Sequence, residues 1–317
     1  MSPRARLCAF LLVLAAAGYA SGCASEDSGS CGRLGVVATT TQLGDVVGAI
    51  GGGQVDLHQI LRPNTDPHEY EPRPDDVRQT AGAKLVFLNG DGLDAWMGKV
   101  VDQSGGHPRA VDLGSVVPDR IAGDRSGPEA SRYDPHWWHD PRNMIAAVAA
   151  IRRALDRADP QHATTYDRRA TAYTARLRTL DRGIARCFAR VPRHERRLVT
   201  SHDAFGTFAH RYGIAVVGAV IGSQTTEAQP SAGSLARLAR TVRREGVKAI
   251  FPETSVSPKL ARALAEQTGA RADLELYGDT LGPRGSAAGT YLGMERVNAD
   301  RIMTGFTGSA RGCASPR

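Results

Sequence analysis

The sequence predicts an α/β protein of two lobes, each a parallel-type sheet flanked by helices, joined by one long rigid helix with a site in the cleft between them. Three observations carry that expectation. Short apolar runs alternate with helix-periodic segments in both halves of the chain, as in strands and crossover helices of parallel sheets. At 317 residues the chain is long for one core. Between the alternating halves, residues 161–189 hold no proline and place Tyr166, Ala170, Tyr173, Leu177, Leu180, Ile184 and Phe188 at three- and four-residue steps. Such a helix spans roughly 40 Å, awkward inside one lobe and suited to bridging two.

In order, a strand over 34–41 leads to a helix over 42–50, which the run Gly51-Gly52-Gly53 breaks. Strands follow at 55–61, 84–89 and 110–116, separated by helices at 74–81 and 93–101. A polar loop occupies 115–134, and after Asp140-Pro141 a helix covers 143–157 before the long one. Past Pro192 the alternation resumes, with strands at 197–200, 214–221, 247–251 and 274–277. Helices are expected at 204–212, 234–245, 258–268 and 291–304. The resulting division is a signal peptide (1–22), a tether (23–33), an N-terminal α/β lobe (34–142), a helical segment containing the inter-lobe helix (143–190), a C-terminal α/β lobe (191–306) and a flexible tail (307–317).

The first residues carry an address. Arg4 and Arg6 precede an apolar run over 7–17 that is too short to span a bilayer, and small residues then lead to Cys23. Ala20-Ser21-Gly22 before Cys23 resembles a bacterial lipobox, with Ala20 where that motif usually has leucine. Cys23 is therefore the expected lipidation site, and residues 24–32 a polar tether holding the protein to the outer face of the cell membrane, the periplasmic side. The remaining cysteines, Cys31, Cys187 and Cys313, form no Cys-x-x-Cys pair, which argues against a thiolate metal site. A Cys31–Cys313 disulfide is one pairing the sequence leaves open, and Cys187 fits a small packed helix residue. The net charge of +7 comes almost wholly from arginine, scattered or at helix spacing and not interleaved with aromatics. Nucleic acid is therefore not an expected partner, and the arginines of the long helix read as its solvated face.

The chemistry concentrates in loops that follow strands. Pro63, Pro67, Pro72 and Pro74 stiffen the stretch that presents His68 among carboxylates. A second Asp-Pro-His stands at Asp134-Pro135-His136, and Ser201-His202-Asp203 follows another apolar run. In open α/β sheets ligands collect at the carboxyl ends of strands. His68, His202, Glu253 and Asp279 all fall there, and His136 lies in a proline-stiffened loop. Converging across a cleft, His68, His136, His202 and Asp279 would make a four-donor shell for a first-row cation. Glu253 is either an acceptor behind that shell or an alternative ligand, and His139 is a rival to His136. A lone loop histidine is usually just solvated, and His58, His107, His162, His194 and His210 keep that reading. Trp137 and Trp138 fit lobe packing better than chemistry.

The stretch from Thr41-Gln42-Leu43 through Pro63-Asn64-x-Asp66-Pro67-His68-Glu69-Tyr70-Glu71-Pro72 resembles the zinc/manganese receptors of bacterial ABC importers. So do Asp134-Pro135-His136-x-Trp138, Ser201-His202-Asp203-Ala204-Phe205, Phe251-x-Glu253 and Tyr277-x-Asp279-x-Leu281-Gly282, in the expected order from about residue 34 to 306. The resemblance implies metal ligands at His68, His136, His202 and Asp279, two lobes on one rigid helix, and delivery to an ABC permease by a non-enzymatic, monomeric lipoprotein. The loop before His136 lacks the histidine-rich run of many zinc-specific members, and the tail with Cys313 has no counterpart. A histidine-rich shell favours Zn2+, with Mn2+ as the alternative. Capture is expected to weaken as the histidines protonate below about pH 6. From other classes, a secreted zinc metallohydrolase lacks a His-Glu-x-x-His motif, and a cell-adhesion role has the surface location but no residue that demands it.

Overall fold

The computed structural model describes residues 32–126, 130–308 and 312–313, and residues 33–317 form one compact unit. The expected signal peptide, Cys23 and Cys31 lie outside the described residues. Among the described residues, no helix is long and apolar enough to cross a membrane.

The N-terminal lobe is a four-stranded parallel sheet of β1 (Leu34–Ala38), β2 (Val55–Gln59), β3 (Leu85–Leu88) and β4 (Arg109–Asp112), in the order β2-β1-β3-β4. The sequence explains the order. β1 (LGVVA) and β3 (LVFL) are apolar throughout and sit centrally, while β2 (VDLHQ) and β4 (RAVD) carry charge and take the edges. Helices α1 (Thr41–Gly51), α2 (Pro74–Gly82) and α3 (Trp96–Ser104) make the crossovers. The Thr40 hydroxyl caps α1 by accepting from Leu43 N at 3.3 Å. The strand expected over 110–116 is cut short because 114–116 coils into a 3-10 turn.

α4 (Pro141–Ala158) starts with proline in its first turn, capped by Asp140, whose Oδ1 accepts from Arg142 N at 2.8 Å. A four-residue turn returns the chain into α5 (Ala163–Phe188), 26 residues and about 39 Å long. α5 is fastened to both lobes. Near its start, Arg169 Nη1 donates to Gly51 O at the end of α1, at 2.6 Å. Further on, Asp181 accepts from Arg211 Nε and Nη2 at 2.8 and 2.6 Å, and Phe188 packs on Phe208 and Tyr212.

The C-terminal lobe pairs β5 (Arg197–His202) with β6 (Ala215–Ile221) in parallel, linked by α6 (Gly206–Tyr212). α7 (Ala232–Arg244), α8 (Lys259–Thr268) and α9 (Tyr291–Thr307) complete it. The strands expected at 247–251 and 274–277 appear as single parallel bridges, Thr200 to Phe251, Ala249 to Arg271 and Glu253 to Leu276. Four residue steps on one segment (249 to 253) face five on the other (271 to 276), so no regular ladder forms between them.

The cysteine expectations need correction. Cys313 is bonded to Cys187, so neither a Cys31–Cys313 bridge nor a lone packed Cys187 is present. The tail expected to be free is held at Cys313, and α9 extends to Thr307. The bridge ties the chain beyond α9 back to α5, across a separation of 126 residues that encloses the C-terminal lobe. Loop-closure entropy for a ring of that size is worth up to about 5 kcal/mol. Replacing both cysteines by serine is therefore expected to lower the melting temperature by several degrees, measured by calorimetry, and an unchanged transition would remove the bridge as a stabiliser.

Candidate metal centre

Two short aspartate turns present the first two histidines. Ile60 N and Leu61 N donate to Ala38 O and Thr39 O, extending the β1–β2 pairing past the carboxyl end of β2. The chain then turns through Asn64, at φ +63, a conformation that asparagine tolerates. Asp66 Oδ1 accepts from His68 N at 3.0 Å, and Asp134 Oδ1 accepts from His136 N at 2.9 Å. His136 leads into a 3-10 turn, Trp137–His139, pinned from both lobes. Trp137 Nε1 donates to Asn89 O at 3.0 Å and Trp138 Nε1 to Gly278 O at 3.2 Å. His202 is the last residue of β5, and Asp279 follows the bridge at Leu276. Gly278 is required between them, since a Cβ there would lie 2.2 Å from Glu253 Oε2.

The structure brings His68, His136, His202 and Asp279 together, one donor atom of each within 4.8 Å of all the others, and all four side chains are fully buried. His136 Nε2 and His202 Nε2 are 3.4 Å apart, and each lies 3.3 Å from an Asp279 oxygen. His68 Nε2 stands 3.9 Å from Asp279 Oδ2. Donors about 2.05 Å from a tetrahedral ion are separated by about 3.3 Å, so the cluster has the dimensions of a first-row coordination shell. Both Asp279 oxygens are buried without a hydrogen bond among the described residues, as befits a carboxylate whose partner is a cation.

The far side of two rings is held by carboxylates. His136 Nδ1 is 2.7 Å from Asp134 Oδ1, and His202 Nδ1 is 3.0 Å from Glu253 Oε2, whose Oε1 accepts from His202 N at 2.9 Å. This aims both Nε2 atoms inward and raises their basicity. Glu253 thus sits behind His202. His139 is not brought to the cluster. Its Nδ1 faces Glu295 Oε1 of α9 at 2.8 Å, and its ring stacks on Phe205. Trp138 walls the site, edge-on to His136. The roles of Asp66 and Asp134 were not drawn from the sequence, although the doubled Asp-Pro-His was the available signal: an aspartate two residues before each histidine closes the turn that presents it.

Electrostatics follow from this packing. Burial works against a charged His136, but the Asp134 and Asp279 carboxylates outweigh it and raise its pKa to about 9. Burial likewise opposes charge on His202, and Asp279 and Glu253 push it well above the usual imidazole range. Asp279 is held well below its ordinary value: burial would raise it, but the His202 and His136 imidazoles prevail. Asp66 is raised by burial and by repulsion from Asp279.

Two α/β lobes fastened to one helix, with a nitrogen-rich donor set buried between them, define the class as a two-lobed metal-binding receptor. The family model for the periplasmic component A of the zinc-uptake complex (ZnuA) matches residues 36–305, and the chain belongs to that family. It is 32% identical to the zinc-binding protein TroA of Treponema pallidum, over 95% of this chain and 98% of the relative. A solved structure of the periplasmic zinc-binding protein TroA from Treponema pallidum superposes with a TM-score of 0.79, covering 87% of this chain and 99% of that one. Identity is 30% both to the iron-binding protein YfeA of Yersinia pestis, over 96% of this chain and 97% of the relative, and to the manganese-binding lipoprotein MntA of Halalkalibacterium halodurans, over 95% and 99%.

The raised imidazole pKa values move the pH window expected from sequence. A ligand must offer a lone pair, yet His136, with a pKa of about 9, carries a proton at pH 7.5 in the metal-free chain. Metal affinity should therefore keep rising from pH 6.5 through about 9 instead of levelling above pH 6.5. Calorimetry at pH 7.5 in buffers of differing ionisation enthalpy should show about one or more protons released per ion, and no release would mean the rings were already neutral.

Proposed function

We propose that this protein is an extracytoplasmic receptor that captures one divalent transition-metal ion per chain and delivers it to an ABC-type permease. His68, His136, His202 and Asp279 are the proposed ligands. The observation that carries this reading is the approach of two imidazole Nε2 atoms to 3.4 Å with a carboxylate 3.3 Å from each, in a fully buried setting. Two such nitrogens cannot both donate to one another, and a shared cation satisfies them and both Asp279 oxygens at once.

Zinc is the proposed cargo, because three imidazoles and one carboxylate favour it over manganese, which prefers more oxygen donors. Manganese is the second reading, favoured by the two Asp279 oxygens, each of which faces the cluster. Lipid attachment at Cys23, anchoring to the outer face of the membrane and a monomeric state complete the proposal. A hydrolase needs an open metal position and a free base. Glu253, the candidate base, is instead held against the His202 ring.

Alanine at His68, His136 or His202 is expected to weaken zinc binding by more than about a hundredfold, exceeding the loss typical of an outer partner. Glu253→Gln should cost about ten- to a hundredfold, and His139→Ala should leave affinity near wild type. Chelator competition measures all five. Retained binding in the His136 variant with loss in the His139 variant would reassign the ligand, and elemental analysis of protein from its native membrane identifies the cargo.

A further inference from the structure

The solvent face of α5 carries charge that the fold leaves unbalanced. Arg178, Arg182 and Arg186 stand four residues apart on α5, so their side chains form one exposed row along the helix, and the exposed Arg190 follows two residues past its end. Like charges at this spacing repel and destabilise a helix. Nothing on α5 compensates them: between residues 168 and 190 the one acidic side chain is Asp181, buried and paired with Arg211. None of the four arginines joins an ion pair among the described residues. Arg182 donates to Thr179 Oγ1, and Arg190 to the carbonyls of Cys187 and Gly312.

The row borders a cavity of 310 Å³ between α5 and α9. Arg186, Arg190 and Thr179 line one side, Arg296 of α9 the other, and the Cys187–Cys313 bridge lies against it. No carboxylate lines it among the described residues, and the nearby Asp300 packs against Gly312. The bridge fixes the two walls relative to one another.

This face points away from the metal cluster. Phe188, on the buried side of α5, packs on Phe208, and Phe205 and Phe208 pack in turn on His139, three residues from His136. The start of α5 lies beside the start of β1, because Leu34 pairs with Val55 and Arg169 binds Gly51 O.

We propose that the arginine row of α5 and its cavity form a docking surface for anionic phospholipid headgroups. Guanidinium groups match phosphodiester oxygens in charge and in paired N–H geometry, and the cavity accommodates a glycerophosphate headgroup. Docked in this way, the receptor lies with α5 along the bilayer and its metal cluster turned toward the medium. The inference depends on the protein residing at a membrane surface and not on which metal it captures.

The test uses residues 33–317, which form one compact unit and lack the leader and lipid site. Co-sedimentation is compared on vesicles of phosphatidylcholine alone and of phosphatidylcholine with three-tenths phosphatidylglycerol. At least a hundredfold tighter binding to the anionic vesicles, lost in high salt, is expected. A basic residue at an anionic surface contributes roughly a factor of five, so R178Q/R182Q/R186Q should lose about a hundredfold while zinc affinity stays unchanged. A control set on α7, R237Q/R240Q/R244Q, should bind vesicles as the parent does. Equal binding to neutral vesicles, or an equal loss from the α7 set, would overturn the proposal.

Discussion

The structure depends on Asp279. Its carboxylate is fully buried, takes no hydrogen bond among the described residues, and stands between two imidazoles that belong to different segments of the chain. Burying a carboxylate without a partner is expensive, and here the partners are rings that must themselves leave water. The protonated imidazoles and the ionised carboxylate compensate each other in the metal-free chain, which is why both histidines are pushed up and the aspartate down. In the proposed function a divalent cation would replace the protons in that arrangement, so the metal-free and metal-bound forms would differ in what fills the same charge pattern.

Holding that pattern requires more than four side chains. Asp134 and Glu253 orient two of the rings from behind, and Trp138 binds the backbone beside Asp279. Behind these, α5 fixes the distance between the lobes by pairing with α1 at one end and with α6 at the other. The Cys187–Cys313 bridge completes the frame by tying the end of the chain to the same helix.

Much of this was legible in the sequence, for local reasons. The central strands are continuous apolar runs, and the long helix has unbroken periodicity, so both could be placed without tertiary knowledge. Proline-stiffened loops after strands pointed to His68 and His136, and the ends of apolar runs to His202 and Asp279. What could not be read depended on packing. Cys187 and Cys313 pair because α5 and the segment after α9 meet in space, and no spacing rule encodes that meeting. His139 stands three residues from His136 as a rival in sequence; Glu295, contributed by α9, and the stacked Phe205 ring turn it away from the cluster. The irregular strands near residues 250 and 275 lose their ladder to an extra residue, which a short apolar run does not reveal.

The same contacts bear on how the ion leaves. Among the hydrogen bonds that cross between the lobes are Asn64 N to Thr280 Oγ1, Leu281 N to Thr41 Oγ1, and Tyr291 N to Asp45 Oδ2, at 3.0, 2.9 and 2.9 Å. Two of them involve the residues directly after Asp279, so a displacement of the N-terminal lobe pulls on the loop that holds the carboxylate. Asp45 also faces Tyr173 of α5, at 3.4 Å, which places lobe, lobe and connecting helix on one side chain. Hydrogen bonds of this kind are each worth only about 1 kcal/mol net, far less than a four-ligand metal site. A partner that separates the lobes would therefore work against the apolar core they share and against a bound ion more than against these bonds. If the four residues hold the ion as proposed, moving His68 away from Asp279, His136 and His202 would leave three donors and open the cluster to water.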